Sequence, residues 1–265
     1  MIPYIKKDFL ANDEVTIITC MISSKEEMPT TGTDLKKRRK SRRKKLIFWL
    51  IIDFIVLVTV LGLLKYRPGR YDPVVHEPGS YEREQVSKYW THELLPKIHN
   101  DSQLGKPFDV VITQEGVNDI ISRVNWPVQS EGIMFYSPAA IFVPGAVVLM
   151  GTADVKGVEF IITIELVPVF DEAGFVNLQV TKMKIGAMNI TPVAKAVAKK
   201  MYSQKIAEFS VNTQDFRTKI VGSLLNDEPF DPVFYIGGNR VRVENIDIEQ
   251  KRLVAHLAPV TKQGL

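Results

Sequence analysis

The chain has 265 residues, 34 Lys/Arg against 30 Asp/Glu, a pI near 9.0 and one cysteine, Cys20. Twelve of the basic and six of the acidic residues fall in residues 1–45, which leaves 22 basic and 23 acidic residues in 65–265. Nucleic-acid-binding domains carry a basic stripe on the folded surface, so the balanced remainder argues against that partner, and a lone cysteine excludes intrachain disulfides and multi-cysteine metal sites.

Residues 1–27 show no amphipathic pattern, and Met21 and Met28 are alternative starts. We expect 1–27 to be disordered or a mis-assigned start, which N-terminal sequencing of the expressed protein decides. Residues 1–45 read as a basic cytoplasmic tail. Its Lys36-to-Lys45 run holds nine basic residues in ten. It serves either as a topology determinant alone or also as a contact for anionic headgroups.

Residues 46–64 read LIFWLIIDFIVLVTVLGLL, nineteen residues with a single charge, Asp53. At about 1.5 Å per residue this spans about 28 Å, close to the hydrocarbon thickness of a bilayer. Only Lys65, Arg67 and Arg70 follow closely, so the charge asymmetry places the N-terminus inside. No small-residue cleavage site follows the span, which favours an uncleaved anchor. Asp53 has two readings. It is either a contact with another transmembrane helix, in a second copy or a partner, or an acid the span tolerates.

Residues 65–80 contain Pro68, Gly69, Pro73, Pro78 and Gly79 and predict an extended linker. Residues 81–258 read as an outer α+β domain: a curved antiparallel β-sheet, one face apolar, covered by amphipathic helices. Residues 259–265 are a short C-terminal tail. The domain begins with a helix over 81–100, Trp90 on its buried side and Pro96 bending it. A strand follows at 108–112, then a helix capped by Thr113 and running to about Val124. Short strands are predicted at 133–136 and 140–143 around Ser137-Pro138, with a turn at Pro144-Gly145.

Three longer strands, 146–155, 158–170 and 175–185, alternate apolar and polar residues and form a meander. In the second, Val158, Phe160, Ile162, Ile164 and Leu166 face one way. In the third, Val176, Leu178 and Val180 lead, then the phase shifts to Met183 and Ile185. A shift of one residue would turn every later side chain to the wrong face, so a β-bulge is predicted near Thr181-Lys182.

Thr191-Pro192 starts a helix whose stripe is Val193, Ala194, Val197, Ala198, Met201 and Tyr202, with Lys199 and Lys200 off it. A second helix covers 213–225, with Phe216, Ile220, Leu224 and Leu225 inward. Strands close the chain at 233–236, 240–249 and 253–258. Gly237-Gly238-Asn239 forms a hairpin turn, and a second bulge is predicted near Glu244-Asn245.

The chemistry-bearing residues are sparse. His92-Glu93 begins like a zinc-protease helix, but Pro96 occupies the place of the second histidine. His76, His99 and His256 form no metal-ligand spacing, and His256 reads as an outward polar position on a strand. No nucleophile elbow, phosphate-binding loop or dinucleotide-binding glycine pattern is present. Asp227, Glu228 and Asp231 cluster beside prolines without the spacing of a calcium loop. We therefore expect no catalytic residue, no metal, no cofactor and no enzyme.

The segment FDVVITQEGVNDIISRV, with Asn118 in its threonine-capped helix, resembles the opening of the YpmS-like bacterial single-pass membrane proteins. The segment GAVVLMGTADVKGVEFIITIELVPVFDEAGFVNLQVTKMKIGAMNITP is similar to that family's core, with Asp171 and Gly174 in the turn and Gly186 and Pro192 in the following loop. The likeness covers residues 108–200, and the C-terminal hairpins over 233–258 are longer than the family pattern. The resemblance implies an N-terminal anchor and an outer domain reminiscent of tubular lipid-binding proteins, with a lipid or other apolar ligand and no catalytic residues. The long strands with one apolar face beside helices motivate the expected function, a membrane-anchored extracytoplasmic binding module, with Phe160, Ile162, Ile164, Leu166, Val176, Leu178 and Val180 lining the groove. The alternative is a non-catalytic structural or regulatory subunit of a cell-envelope complex, engaged through Asp53.

Overall fold

The computed structural model describes residues 32–76, 80–124, 126–130, 132–208 and 216–260. Cys20, the proposed start region 1–27, Pro78, Gly79 and Thr213 lie outside the described residues. The chain divides into two units, 1–56 and 57–265.

The first helix, α1 (Gly32–Leu64), takes in part of the basic run as well as the apolar segment. Its stretch Lys44–Leu64 is long and apolar enough to cross a membrane, and none of it is buried against protein. Asp53 is exposed in this stretch.

The second unit is α+β, and its sheets are antiparallel. A four-stranded sheet runs in the order β1 (Phe108–Thr113), β10 (Arg252–Pro259), β9 (Asn239–Glu249), β8 (Val233–Ile236). A six-stranded sheet runs from β2 (Val128–Ser130) through β3 (Ile133–Val143), β4 (Ala146–Val155), β5 (Val158–Phe170) and β6 (Val176–Ile185) to β7 (Met188–Asn189). Sequence alternation predicts one sheet, and the structure has two. The difference arises because β1 pairs with β10, almost 150 residues away, at Phe108 and Leu257. Alternation marks which face of a strand is apolar but carries no information about so distant a partner.

Both predicted bulges are present. Glu165 pairs with Lys182 but Leu166 pairs with Val180, so Thr181 is the extra residue in β6. His256 pairs with Asn245 but Leu257 pairs with Val243, so Glu244 is the extra residue in β9. The two short strands predicted around Ser137-Pro138 are one strand, β3. Its register shifts between Tyr136 and Ala139, and Ser137 adopts a left-handed φ of 51°. A third bulge thus replaces the expected break.

The helix predicted over 81–100 is in three pieces: α2 (Tyr81–Glu84), a π-helical turn (Tyr89–Leu94) and α3 (Leu95–Gln103). A π turn inserts one residue per turn and rotates the register. Trp90, expected inside, is 38% exposed, whereas Leu94, on the same predicted stripe, is buried with Val110, Val241, Ala255 and Leu257. Thr113 caps α4 (Gln114–Ser122) as predicted, accepting from the Gly116 N–H at 3.1 Å. A Cβ on Gly116 would overlap the Tyr89 ring, so the close approach of this helix to the π turn requires glycine.

Helix α4 is fixed to β3 by side chains that imitate a strand. Asn118 Nδ2 donates to the Ala140 carbonyl at 2.8 Å, and the Ala140 N–H donates back to Asn118 Oδ1 at 2.7 Å. One turn earlier, Gln114 Oε1 accepts from the Phe142 N–H at 3.0 Å. The two residues are four apart on the helix and meet positions two apart on the strand. The spacings match, since four helical residues rise about 6 Å and two strand residues about 6.6 Å.

The six-stranded sheet is apolar on both faces, which corrects the one-faced expectation. Ala139, Met150 and Ile161 are buried on one side, packed with Tyr71 from the segment after α1. Tyr71 is 5% exposed, and its hydroxyl donates to the Ser137 carbonyl at 2.6 Å and lies 2.8 Å from Thr152 Oγ1. The segment is non-helical, as expected for a linker, but Tyr71 pins it to the sheet. Close by, the Ala187 N–H donates to the Leu63 carbonyl of α1 at 2.8 Å.

Candidate functional site

On the other face of the six-stranded sheet, the sequence assembles an apolar floor. The register aligns Leu149 with Ile164 and Ile164 with Met183, across β4, β5 and β6. The bulge at Thr181 makes this row possible. Without it, Lys182 and Lys184 would take the places of Met183 and Ile185. Gly151 lies two residues from Leu149 on the same strand face, and nothing but the Tyr136 carbonyl, at 3.8 Å, comes near the position of its missing Cβ. The floor there is bare backbone.

Two hollows open on this floor. The first has a volume of about 340 Å³ and lies between the sheet residues Leu149, Ile164, Leu166, Val180 and Met183 and the helices α5 (Thr191–Glu208) and α6 (Phe216–Asn226). Ala198 and Leu224 form apolar parts of its wall, and Lys195, Lys199 and Asp227 bring charge to it. The second has a volume of about 470 Å³ and is lined by Trp126, Val128, Phe135, Pro138, Gly151 and Ile162. The two share Leu149, Ile164 and Met183. Leu149 lines both and is 38% exposed, although it sits in an interior strand.

Of the seven groove residues expected from sequence, Ile164, Leu166 and Val180 line the first hollow, and Ile162 and Ile164 line the second. Phe160, Val176 and Leu178 line neither. Val176 is buried and exchanges two backbone hydrogen bonds with Phe230. The Leu178 N–H donates to Ser223 Oγ at 2.7 Å, and Phe160 pairs with Ala153 in the ladder. Sequence reasoning missed Leu149, Met183, Leu224, Trp126 and the lysines. Leu149 and Met183 were within reach of it, since both are cross-strand neighbours of Ile164 once the bulge is placed.

Helix α5 differs from its predicted stripe. Val193 and Val197 are 68% and 50% exposed, whereas Ala194 and Ala198 are half-buried. The side chains of Met201 and Tyr202 lie outside the described residues. Lys199, expected off the apolar stripe, lines the first hollow. The helix therefore packs through its small residues and turns its valines outward. Its start is tied to the floor, because Thr191 Oγ1 accepts from the Met183 N–H at 2.7 Å.

Helix α6 is joined to the sheet by Ser223, which is fully buried. Its hydroxyl donates to Asn177 Oδ1 at 3.1 Å while accepting from Leu178. Phe216 packs edge-on against Phe230 and tilted against Phe234, with ring centroids 5.9 and 5.8 Å apart.

The histidines are dispersed. His92 Nδ1 meets Thr91 Oγ1, and His99 Nε2 meets Gln103. His256 lies on the four-stranded sheet between Asp109 Oδ1 at 2.7 Å and Asp247 Oδ2 at 2.9 Å. The hydrogen bond to Asp247, followed by that to Asp109, raises its pKa above the usual imidazole range. Among the described residues, no three His, Cys, Asp or Glu side chains are grouped to hold a metal ion.

No protein-family model matches this chain, and neither a curated protein nor a solved structure is significantly similar to it.

Proposed function

We propose that this protein is a single-pass membrane protein with a cytoplasmic N-terminus, whose outer domain binds an apolar ligand, such as the acyl chain of a lipid, on the open face of the six-stranded sheet. The observation that carries the reading is the exposed apolar floor. A leucine in an interior strand is normally covered by the next layer, yet Leu149 stays 38% exposed between two hollows that share it. Ligand sites are concave and mostly apolar with few polar groups, and these hollows fit that description. We read the sheet as curved and the helices as an amphipathic cover with movable parts. The resemblance of residues 108–200 to the YpmS-like proteins supports the same reading, as does the absence of a recognisable catalytic motif.

The charge asymmetry about residues 46–64 supports the orientation. Native mass spectrometry of the full chain, released from detergent micelles, tests the function. We expect a co-purifying lipid, or uptake of an added fluorescent fatty acid that Leu149→Trp blocks by filling the floor. A chain that carries no lipid and takes up no probe sinks the proposal.

A second reading, a structural or regulatory subunit of an envelope complex, is favoured by Asp53. A carboxyl at mid-span costs about 2.5–3.5 kcal/mol on insertion scales and is offset by a polar contact with another helix. Crosslinking in membranes should then capture a partner or a second copy, and Asp53→Leu should weaken the capture. Recovery of monomer alone rules this reading out.

A further inference from the structure

We infer that the ligand of this groove is a single-chain amphiphile with an anionic head, held by Lys195 and Lys199 at one end of the groove. The inference rests on the apolar-ligand reading above and adds the polarity of the bound molecule.

The two hollows differ in charge. The residues lining the second include no charged side chain, and Trp126, Val128 and Phe135 close that end. The first is lined by Lys195 and, one helical turn on, Lys199, together with Asp227. Lys195 Nζ lies 3.7 Å from Asp227 Oδ2, with the two side chains 44% and 52% exposed. An exposed pair of this kind is worth about 0–1 kcal/mol, so a ligand's carboxylate or phosphate can take the place of Asp227. A lysine ammonium recognises such a head as a point charge with three donors. The floor between the ends crosses from β6 to β2. That is four inter-strand steps of about 4.8 Å, or about 19 Å, an elongated path suited to one extended chain.

The test uses the full chain in non-ionic detergent with three fluorescent probes of equal chain length: a fatty acid, a monoalkyl phosphate and a fatty alcohol. The acid and the phosphate should bind about tenfold more tightly than the alcohol, a difference of about 1.4 kcal/mol. Lys195→Ala with Lys199→Ala should erase that preference and leave alcohol binding unchanged. Lys200→Ala, an exposed neighbour on the same helix, should leave the preference intact. Leu149→Trp should reduce all three. Preference for only one of the two anionic heads identifies which head the lysines accept. Equal binding of all three probes to the native chain overturns this inference and leaves the apolar-ligand reading standing. No binding of any probe overturns both. A native preference that survives the double lysine substitution removes these two residues from the role and overturns the inference.

Discussion

Asn118 and Ala140 form a closed pair, in which the side-chain amide of one gives and receives a hydrogen bond with the backbone of the other at 2.8 and 2.7 Å. Both residues are buried. The pair satisfies a stretch of β3 that β2 does not reach, since β2 pairs with β3 only through Phe135. A single asparagine thus ends the ladder on that side. It also fixes α4 at a set height along the sheet.

Replacing Asn118 with Leu should strand both Ala140 groups without partners. Leaving a buried donor or acceptor unpaired costs about 1–3 kcal/mol. We expect the urea midpoint of the full chain in detergent to fall substantially with its slope unchanged. Asn118→Asp should be nearly as costly, because it keeps the acceptor but sets a carboxylate against the Ala140 carbonyl. A midpoint unmoved in both variants would show that water replaces the side chain.

Deleting Thr181 should remove the bulge and keep the floor. Glu165 already pairs with Lys182 and Leu166 with Val180, so the deletion closes the ladder with Met183 still opposite Ile164. Thr181 Oγ1 donates to Glu165 at 3.1–3.3 Å, an exposed contact of little weight, so Thr181→Ala should also be close to neutral. We expect both variants to keep native resistance to proteolysis and native probe uptake. Loss of uptake in the deletion alone would mean that the local bend of the bulge shapes the floor, beyond the phase of the side chains.

Gly186→Ala should loosen the end of α1 from the domain. Gly186 has a φ of 58°, and a Cβ there would overlap the backbone of Leu63 and Leu64. Left-handed backbone alone costs an L residue about 1–2 kcal/mol, and backbone cannot move aside as a flexible side chain can. In a background with Cys20 replaced by Ser, cysteines at Leu64 and Ala187 should crosslink readily. Adding Gly186→Ala should lower the yield several-fold. An unchanged yield contradicts the contact.

His256 gives stability a defined pH dependence. Its hydrogen bonds to Asp247 and Asp109 raise its folded pKa above the ordinary value of about 6.5. The folded state then binds the proton more tightly than the unfolded chain does. Its contribution is full below the unfolded pKa and is lost as pH rises through the folded one. The native chain should therefore lose stability relative to His256→Gln as pH is raised from 6 towards 9. Thermal melts of both proteins across that range read the difference. Parallel curves would mean that the two carboxylates do not favour the charged ring.

Much of the six-stranded sheet was legible from the pattern of side chains. Strands β4, β5 and β6 alternate cleanly, and the slip from Val180 to Met183 located a bulge that the ladder places at Thr181. The same logic found the extra residue at Glu244. The burial of Tyr71 was not legible, because an aromatic residue amid prolines and glycines has no period to betray its partner. The split into two sheets escaped for a related reason, since nothing local to residues 108–113 points to residues 252–259. In the groove, Ile162, Ile164, Leu166 and Val180 were found by alternation. Phe160, Val176 and Leu178 share their face but line neither hollow, and Val176 is bonded edge to edge with Phe230. Alternation identifies a face, and the later chain decides which part of it stays open. The outward turn of Val193 and Val197 shows the same limit for a helix, whose apolar residues need not all choose one side.

Tyr71 lies only seven residues beyond the last residue of α1, and its hydroxyl is locked to Ser137 and Thr152. A chain fastened at that point can fray only between the helix and the ring. The conformational freedom that folding removes there is concentrated in residues 65–70, at about 1–2 kcal/mol per residue. Slack added after Tyr71 would leave that cost unchanged, because the fastening point and not the length of the whole segment sets it.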